Sequence, residues 1–371
     1  MTGPRLSDRQ RLSWLRLIRT PNVGPATFRD LINRFGTADA AIEHLPELTR
    51  SFGSAPPRVP SVSEAEAEMT AAQRCGARFV ALGEADYPSL LRQAEAPPPL
   101  LAIRGEAAVF SLPAAAIVGA RNASVIGCRM ARSLAAGLGE AGYSVISGLA
   151  RGIDTAAHEG SLTTGTVAAL AGGLDRPYPP ENAALCDRIV ERGALVSEMP
   201  FGWEPRAQDF PRRNRLIAGM SLGLVVVEAA RRSGSLISAR LAGEMGRLVF
   251  AVPGSPLDPR AEGANGLLKQ GAILVTDASD VLDALAPLAG RVRHPPPILE
   301  DPPDLSSAPP AEDADRAAVL EAMGPVPTPV DDIVRHTGLH PAQIHLVLLE
   351  LDIAGRLERH PGNMVSLLPP P

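Results

Sequence analysis

Seven short apolar segments, separated by stretches with helical spacing, are the feature that most limits the folds open to this 371-residue chain. Each apolar run is continuous rather than alternating, as expected for strands that are buried on both faces. The segments are AAAIVGA (114–120), YSVISG (143–148), TVAALAGG (166–173), ALVSEM (194–199), GLVVVEA (223–229), LVFAVPG (248–254) and AILVT (272–276). Repeated alternation of strand and helix predicts an α/β fold with a doubly wound parallel sheet.

The segments on either side of this region have different patterns. Residues 1–75 place apolar side chains at helical spacing, with the turn TPNVGPAT between two predicted helices. Residues 291–312 are proline-rich and acidic, which is typical of an extended linker. Residues 313–371 read as helix, helix-turn-helix and hairpin, the order of a winged helix. The sequence therefore predicts a small helical domain at 1–75, the sheet domain at 76–290, and a winged helix after the linker.

The composition also bears on where such a chain works. The sequence contains no run of about 18 apolar residues, the length needed to span a bilayer. The N-terminal segment MTGPRLSDRQRLSWLRLIRT is too polar for a secretory signal peptide. The cysteines Cys75, Cys128 and Cys186 are odd in number and lack metal-ligand spacing, which suits a reducing compartment. We expect a cytoplasmic protein with no membrane span and no metal site.

The loops that follow the predicted strands are rich in glycine, serine and arginine. Ligands of open parallel sheets bind beyond the carboxyl ends of the strands, so these loops form the expected binding rim. Glycine backbones and arginine side chains are suited to phosphate. Neither G-x-G-x-x-G after the first strand nor G-x-x-x-x-G-K-[ST] occurs, so we expect no nucleotide cofactor. Asp154 and His158 in GIDTAAHEG are interpreted as groups satisfying a helix start and a sheet-facing hydrogen bond, so no catalytic residue is predicted.

The stretch DFPRRNRLIAG (209–219) concentrates positive charge in a chain whose formal net charge is −5. Arginines near the start of a helix oppose its dipole, and a bound polyanion would offset that cost. Phe210 beside them offers a face for a base, and stacking combined with arginine is how proteins hold single-stranded nucleic acid. Arg121, after the first predicted parallel strand, would join the same rim. The alternatives are a solvated helix start and, for Arg121, an ion pair with Glu228.

Six collinear motifs carry a resemblance to a known family. They are AIVGARNASVIG, SGLARGIDTAAHEGSL, GGLDRPYPPEN, LVSEMPFGWEPRAQDFPRRNRLIAGMS, VVVEAARRSGSLISARLAGEMGR and FAVPGSPLDPRAEGANGLLKQGA. Over about residues 87–272 the chain resembles the DNA-processing protein A (DprA, also called Smf) family. The resemblance implies an extended Rossmann domain that binds single-stranded DNA without sequence preference and forms a homodimer. It also implies delivery of DNA to the RecA recombinase in natural transformation, and no enzymatic activity.

The resemblance also implies which residues contact DNA. Arg206 stands in for a lysine that some relatives carry at the position of Ala207, and Lys269 lies near the rim. Gly234 and Ser235 would hold phosphate through backbone N–H groups. The full expected set is Gly119, Arg121, Ser147, Gly148, Arg206, Phe210, Arg213, Asn214, Arg215, Gly234, Ser235 and Lys269.

The flanking domains resemble accessory modules of the same family. The N-terminal one is similar to a sterile-alpha-motif-like or helix-hairpin-helix unit, but its turn has Asn22 and only one glycine, Gly24. We therefore expect a packing role rather than DNA binding. The third helix of the winged helix, HPAQIHLVLLELDIAG, has no Arg or Lys and is expected to expose His340, Gln343, His345 and Glu350. This acidic domain is interpreted as a protein-contact module.

Two alternatives belong to other classes of protein. The rim with GSLISA after VVVEA loosely resembles nucleotide phosphoribohydrolases, but Ala239 occupies the rough position of their glutamate. A sequence-specific transcription regulator would rest on the winged helix alone, and the acidic face of that domain argues against it.

Overall fold

The computed structural model describes residues 5–50, 52, 55–290 and 311–369. The predicted linker at 291–312 lies outside the described residues except for its last two. The described chain forms two compact units, one of residues 68–290 and one that combines residues 6–67 with 311–369. Among the described residues no helix is both long and apolar enough to cross a bilayer.

The helices and strands are numbered in chain order. The helices are α1 (Asp8–Ile18), α2 (Pro25–Phe35), α3 (Ala38–Arg50), α4 (Val62–Arg74), α5 (Ser89–Arg92), α6 (Val125–Glu140), α7 (Ile153–Ser161), α8 (Ala183–Ile189), α9 (Asp209–Gly219), α10 (Gly234–Glu244), α11 (Glu262–Lys269), α12 (Ala278–Ala289), α13 (Asp313–Glu321), α14 (Val330–Thr337) and α15 (Pro341–Ile353). The strands are β1 (Ala77–Ala81), β2 (Leu100–Gly105), β3 (Ala114–Val118), β4 (Ser144–Ser147), β5 (Thr166–Ala169), β6 (Ala194–Ser197), β7 (Gly223–Val226), β8 (Leu248–Ala251), β9 (Ile273–Leu274), β10 (Thr328–Pro329), β11 (Leu357–His360) and β12 (Met364–Leu367).

The first unit is built on a nine-stranded sheet with the order β1-β2-β6-β5-β4-β3-β7-β8-β9. The seven strands from β3 to β9 are parallel, which confirms the predicted doubly wound α/β core. Among the parallel strands, β3 comes first in the chain and lies near the centre of the sheet. The strands β4, β5 and β6 follow in order on one side of it, and β7, β8 and β9 follow in order on the other side. The prediction missed β1 and β2, which add an antiparallel edge beside β6 and make the sheet mixed.

The helices cover both faces of this sheet because its strands are apolar on both sides. On β3, Ala116 and Val118 face one core layer, whereas Ala115 and Ile117 face the other. The cap residue Ser124 fixes the start of the following helix, α6, because its hydroxyl accepts a hydrogen bond from the Gly127 N–H at 2.8 Å. The turn that ends this helix contains a glycine with φ +84°, Gly142.

The second unit joins the two ends of the chain. Its C-terminal part has the winged-helix order, with β10 between α13 and α14 and the hairpin β11–β12 after α15. The three strands form one sheet with the order β10-β12-β11. Helix α15 packs against α2 and α3 as well as against α13, and one apolar core includes Leu17 and Phe28 together with Ile344 and Leu348. The expectation that Glu350 is exposed was wrong. Its carboxylate is buried and accepts two hydrogen bonds, at 2.8 and 2.9 Å, from Arg316.

Candidate nucleic-acid interface

A cleft opens at the carboxyl ends of β3 and β7, where the order of the strands reverses. This is the point at which doubly wound sheets bind their ligands. The cleft has a volume of about 670 Å³ and continues into a second hollow of about 300 Å³, with Arg121, Asn122, Ala150 and Phe210 lining both. We call the two together the rim cleft. Its walls come from the loops after β3, β4, β5, β7 and β8 and from the first turns of α9 and α10.

Phe210 is the centre of the rim cleft. The guanidinium carbon of Arg121 lies 4.9 Å from the centroid of its ring, and that of Arg213 lies 5.9 Å away. The ring of Tyr178 meets it edge-on with centroids 5.6 Å apart. Arg121 is exposed, and no carboxylate among the described residues forms an ion pair with it. The aromatic ring therefore holds an arginine in place while leaving its hydrogen-bond donors open to solvent.

Glu228, the alternative partner for Arg121, is engaged elsewhere. Its carboxylate accepts hydrogen bonds from the backbone N–H of Ser124 at 2.9 Å and from the hydroxyl of the same residue. A Cβ at Gly127 would collide with this carboxylate, so the glycine makes room for it. The carboxylate thus occupies the N-terminus of α6, where related folds receive a pyrophosphate. This arrangement disfavours a dinucleotide at that position and leaves Arg121 for another ligand.

Arg213 also lines the cleft, but its guanidinium is bonded within the protein. Its side chain is buried and donates hydrogen bonds to the carbonyls of Gly148 and, at 2.6 Å, of Ala169. A Cβ at Gly148 would collide with the guanidinium, so this glycine is needed for the close approach. Burial lowers the pKa of Arg213 to about 10. Arg213 therefore ties the ends of β4 and β5 to the helix that carries Phe210.

The pair Asp154 and His158 is bonded within the protein. His158 makes the expected sheet-facing hydrogen bond, whereas Asp154 bonds the loop before α7 and not the start of that helix. Asp154 accepts hydrogen bonds from the N–H groups of Gly148 and Ala150 at 3.1 and 3.4 Å. The His158 ring is fully buried, with Nδ1 2.8 Å from the hydroxyl of Thr166. Burial raises the pKa of Asp154 and lowers that of His158 to about 3. No group of three potential metal ligands occurs within the described ranges.

The opposite wall of the cleft is the start of α10. The Ser233 hydroxyl caps this helix by accepting from the Ser235 N–H at 3.3 Å, and Asn214 reaches the Gly234 carbonyl at 3.5 Å. Gly234 is exposed, with open space where a Cβ would be. This turn can therefore be approached closely by a ligand backbone. Gly119 also lines the cleft, but it is required for packing, because a Cβ there would collide with Ile153.

Four of the expected contact residues lie outside the rim cleft. Ser147 is buried and donates its hydroxyl to the Ile117 carbonyl. Arg206 is exposed but stacks on Trp203, 4.6 Å from the ring centroid. Arg215 donates to the carboxylate of Glu198 and, at 2.8 Å, to the Ala96 carbonyl. Lys269, at the end of α11, lines a separate groove of the first unit.

The structure also places in the rim cleft four residues with charged or aromatic side chains that the sequence analysis did not single out. They are Arg151, Tyr178, Arg232 and Arg260. Arg151 is paired with Glu181 and Arg260 with Asp258, whereas Arg232 makes no ion pair with any residue of the described chain. Each of the four follows a predicted strand, so their place in a rim loop was the available signal.

These features define a class: an extended Rossmann-like protein with an arginine- and aromatic-lined cleft at the strand-order reversal, accompanied by helical and winged-helix modules. Three family models match the chain in order. They are described as DprA-like N-terminal HHH domain (residues 8–71), DNA recombination-mediator protein A (78–286) and DprA winged helix domain (302–363). The chain belongs to the DNA recombination-mediator protein A (DprA/Smf) family.

Individual relatives agree with this assignment. Protein Smf of Escherichia coli is 40% identical over 288 residues, which is 76% of this chain and 75% of that protein. The structure of DNA processing protein A from Streptococcus pneumoniae covers 60% of this chain and 78% of its own, with a TM-score of 0.57 and 37% identity. That of Helicobacter pylori, described for its single-stranded DNA binding mode, covers 57% and 97%, with a TM-score of 0.52 and 27% identity.

Proposed function

We propose that this protein binds single-stranded DNA without sequence preference in the rim cleft, and that it is a recombination mediator rather than an enzyme. The observation that carries the proposal is Phe210 with the exposed Arg121 held against its ring at the strand ends. An aromatic face for a base beside an arginine for the adjoining phosphate is a sequence-tolerant arrangement, because every base has a π-face. The single-stranded DNA binding described for the H. pylori relative supports it.

We assign the roles of the cleft residues from the exposure of their side chains. Arg121 and Arg232 would contact phosphates, and the backbone around Gly234 and Ser235 would accept close approach of the strand. Phe210 and Tyr178 would contact bases. The residues that we assign to positioning these groups are Gly119, Gly148, Arg213 and Asn214. Arg206 and Lys269 are proposed as outer contacts at most, while the polar groups of Ser147 and Arg215 are already bonded within the protein.

A nucleotide hydrolase, the alternative from the sequence, draws less support. Ala239, at the rough position of the hydrolase glutamate, is buried in α10. Glu228, in the loop after β7, is bonded to the N-terminus of α6, and Asp154, which lines the cleft, is bonded to the N–H groups of Gly148 and Ala150. A fixed arginine and an aromatic ring favour binding over acid–base chemistry at this site.

The partners proposed for this protein are a second copy of the chain and the RecA recombinase in the cytoplasm. We propose that the protein holds incoming single strands during natural transformation and loads RecA on them. A groove of about 1460 Å³ beside the edge strand β9 is lined by half-buried apolar residues that include Leu236, Leu267 and Ile273. An edge strand with apolar neighbours is a surface on which a second copy can pair.

The test is salt-dependent binding of the purified protein to a fluorescent oligo-dT and to the matching duplex. Arg121→Ala should weaken single-strand binding and reduce the slope of log K against log salt by about 0.7, the value for one lost phosphate contact. Phe210→Ala should weaken binding by about 5- to 150-fold, since stacking contributes about 1–3 kcal/mol per base, and should leave the slope unchanged. Arg188→Ala, which removes an exposed arginine near the end of α8, is the matched control.

Unchanged affinity in both variants would exclude the rim cleft as the binding site. The mediator role has its own readout, the rate of RecA assembly on the oligo-dT. The protein should accelerate assembly, and Arg121→Ala should abolish that effect. Normal DNA binding without acceleration would reject mediation and leave the binding proposal standing.

A further inference from the structure

The loop after β4, residues 148–152, has a strained backbone and forms part of the rim cleft. Leu149 has φ +61°, a left-handed conformation that is unfavourable for a bulky residue, and Gly152 has φ +75°. Leu149 is fully buried, so packing holds the backbone in this conformation. Arg151 lies between these two residues, and its exposed side chain lines the smaller hollow of the cleft. Strain of this kind is concentrated at sites that hold a ligand.

The partner of Arg151 is Glu181, and a buried anchor places this carboxylate opposite the arginine. Asn182 is buried, and its side-chain amide donates hydrogen bonds to the Leu149 carbonyl at 2.8 Å and to the Thr155 hydroxyl at 2.9 Å. These bonds attach the short turn that carries Glu181 to the strained loop. The Arg151 guanidinium donates a hydrogen bond to the Glu181 carboxylate, which raises the pKa of Arg151 and lowers that of Glu181.

The ion pair is open to solvent although its arginine lines the cleft. The side chain of Arg151 is 65% exposed and that of Glu181 is 47% exposed. Water screens such a pair, so it contributes little free energy and is easily exchanged. A phosphate offers the arginine fork the same two-oxygen geometry as a carboxylate. Phe210 and Tyr178 line the same hollow, so a strand whose base contacts these rings brings a phosphate close to the pair.

Arg121 and Arg151 therefore present two kinds of arginine to one hollow. Arg121 makes no ion pair with any residue that the structure describes, and it is available in the free protein. We propose that Glu181 is an internal competitor for the single strand: it holds Arg151 in the free protein, and a phosphate of the strand displaces it on binding. The proposal rests on the proposed function of the rim cleft and adds a phosphate contact to it. Because only molecules with an open pair offer Arg151 to DNA, the pair lowers the apparent affinity.

The test measures binding of the full chain to fluorescent oligo-dT. Glu181→Gln should tighten binding by about 1.4- to 5-fold, the factor that corresponds to the usual free energy of an exposed ion pair. Arg151→Ala should weaken binding and reduce the slope of log K against log salt by about 0.7, the value for one phosphate contact. In the double variant, Glu181→Gln should give no gain over Arg151→Ala, because no arginine remains to be released.

Glu204→Gln is the matched control, since it removes an exposed carboxylate from the loop after β6. Within the described chain Glu204 forms no ion pair, so this variant should leave the affinity unchanged. An equal gain in Glu204→Gln, or a gain from Glu181→Gln that persists without Arg151, would come from the general field of the protein and would overturn the proposal. Weaker binding by Glu181→Gln would show that the ion pair supports the cleft instead, and an unchanged slope in Arg151→Ala would exclude the added phosphate contact.

The same measurements separate this proposal from the one on which it rests. If Arg121→Ala and Phe210→Ala weaken binding but Glu181→Gln has no effect, the internal competitor is excluded and the rim cleft remains the binding site. If binding withstands both of those substitutions, the rim cleft is excluded as the site. Circular dichroism identifies a variant that fails to fold.

Discussion

His158 is enclosed by the first unit, and its contacts determine its protonation state. The Thr166 hydroxyl donates to the Val145 carbonyl at 2.7 Å, so it must accept from the histidine Nδ1–H. The other ring nitrogen, Nε2, is buried without a hydrogen-bond partner among the described residues. Burial lowers the pKa of this ring to about 3, and the charge of Arg213 acts in the same direction. The folded protein therefore holds His158 neutral.

This burial predicts that acid destabilises the first unit. Between pH 6.5 and pH 3, His158 is protonated in the unfolded chain but stays neutral in the folded chain. The free energy of unfolding that this group contributes above pH 6.5 is therefore lost as the pH falls toward 3. From pH 6.5 to 5 this one group should cost about 2 kcal/mol, at about 1.4 kcal/mol per pH unit. The measurement is urea unfolding followed by Trp203 fluorescence in a Trp14→Phe background. His158→Asn should remove that part of the pH dependence, and equal pH dependence in both proteins would contradict the assignment.

At the level of elements, α9 shows why a run of arginines does not act as one charge. Successive residues of a helix point about 100° apart, so neighbours in sequence face different surroundings. Arg212 and Arg215 both pair with the buried carboxylate of Glu198. Arg213 points into the protein, and the exposed, unpaired charge of the cleft comes from Arg121 and Arg232, which follow other strands. The sequence located the basic segment, but only the packing of the helix decides which arginine faces the ligand.

The buried position of Arg213 gives a prediction that distinguishes a structural role of this side chain from direct contact with DNA. Arg213→Met leaves the carbonyls of Gly148 and Ala169 without this donor, and each buried unpaired group costs about 1–3 kcal/mol. We expect a loss of about 2–5 kcal/mol in unfolding free energy together with weakened binding of oligo-dT. Arg121→Ala, an exposed substitution, should change stability by less than about 0.5 kcal/mol while weakening binding. Normal stability with lost binding in Arg213→Met would instead show that Arg213 contacts the DNA.

The elements that the sequence predicted are those with a local pattern. All seven parallel strands were located because each is a continuous apolar run followed by a helix. Strands β1 and β2 were missed because only the four-residue helix α5 lies between them, and because β2 takes its direction from pairing with β6, about 90 residues later. The contact of Asn22 with Ile353 has no local signal at all, since it joins segments more than 300 residues apart. The loops of the cleft were predictable because strand ends of a parallel sheet share one edge.

At the scale of the whole molecule, the proposed dimer would carry two rim clefts. One long single strand could then occupy both, and the second binding event becomes intramolecular, with a high effective concentration. A short oligonucleotide that fills one cleft gains nothing from the second. We therefore expect a preference for long strands that belongs to the dimer and not to either cleft alone.

Leu274 tests this expectation, because it is half exposed on the edge strand β9, beside the apolar groove. Leu274→Glu should alter the stability of the single chain by less than about 0.5 kcal/mol, since the side chain makes few internal contacts. It should convert the dimer to a monomer in sedimentation velocity experiments and abolish the preference for long over short oligo-dT. Leu257→Glu, on a 93% exposed leucine that does not line the groove, should leave both properties unchanged. A monomeric unmutated protein, or a Leu274→Glu variant that remains dimeric, would exclude β9 as the dimer surface. Affinity for short oligo-dT should stay the same throughout, because each cleft is intact in the monomer.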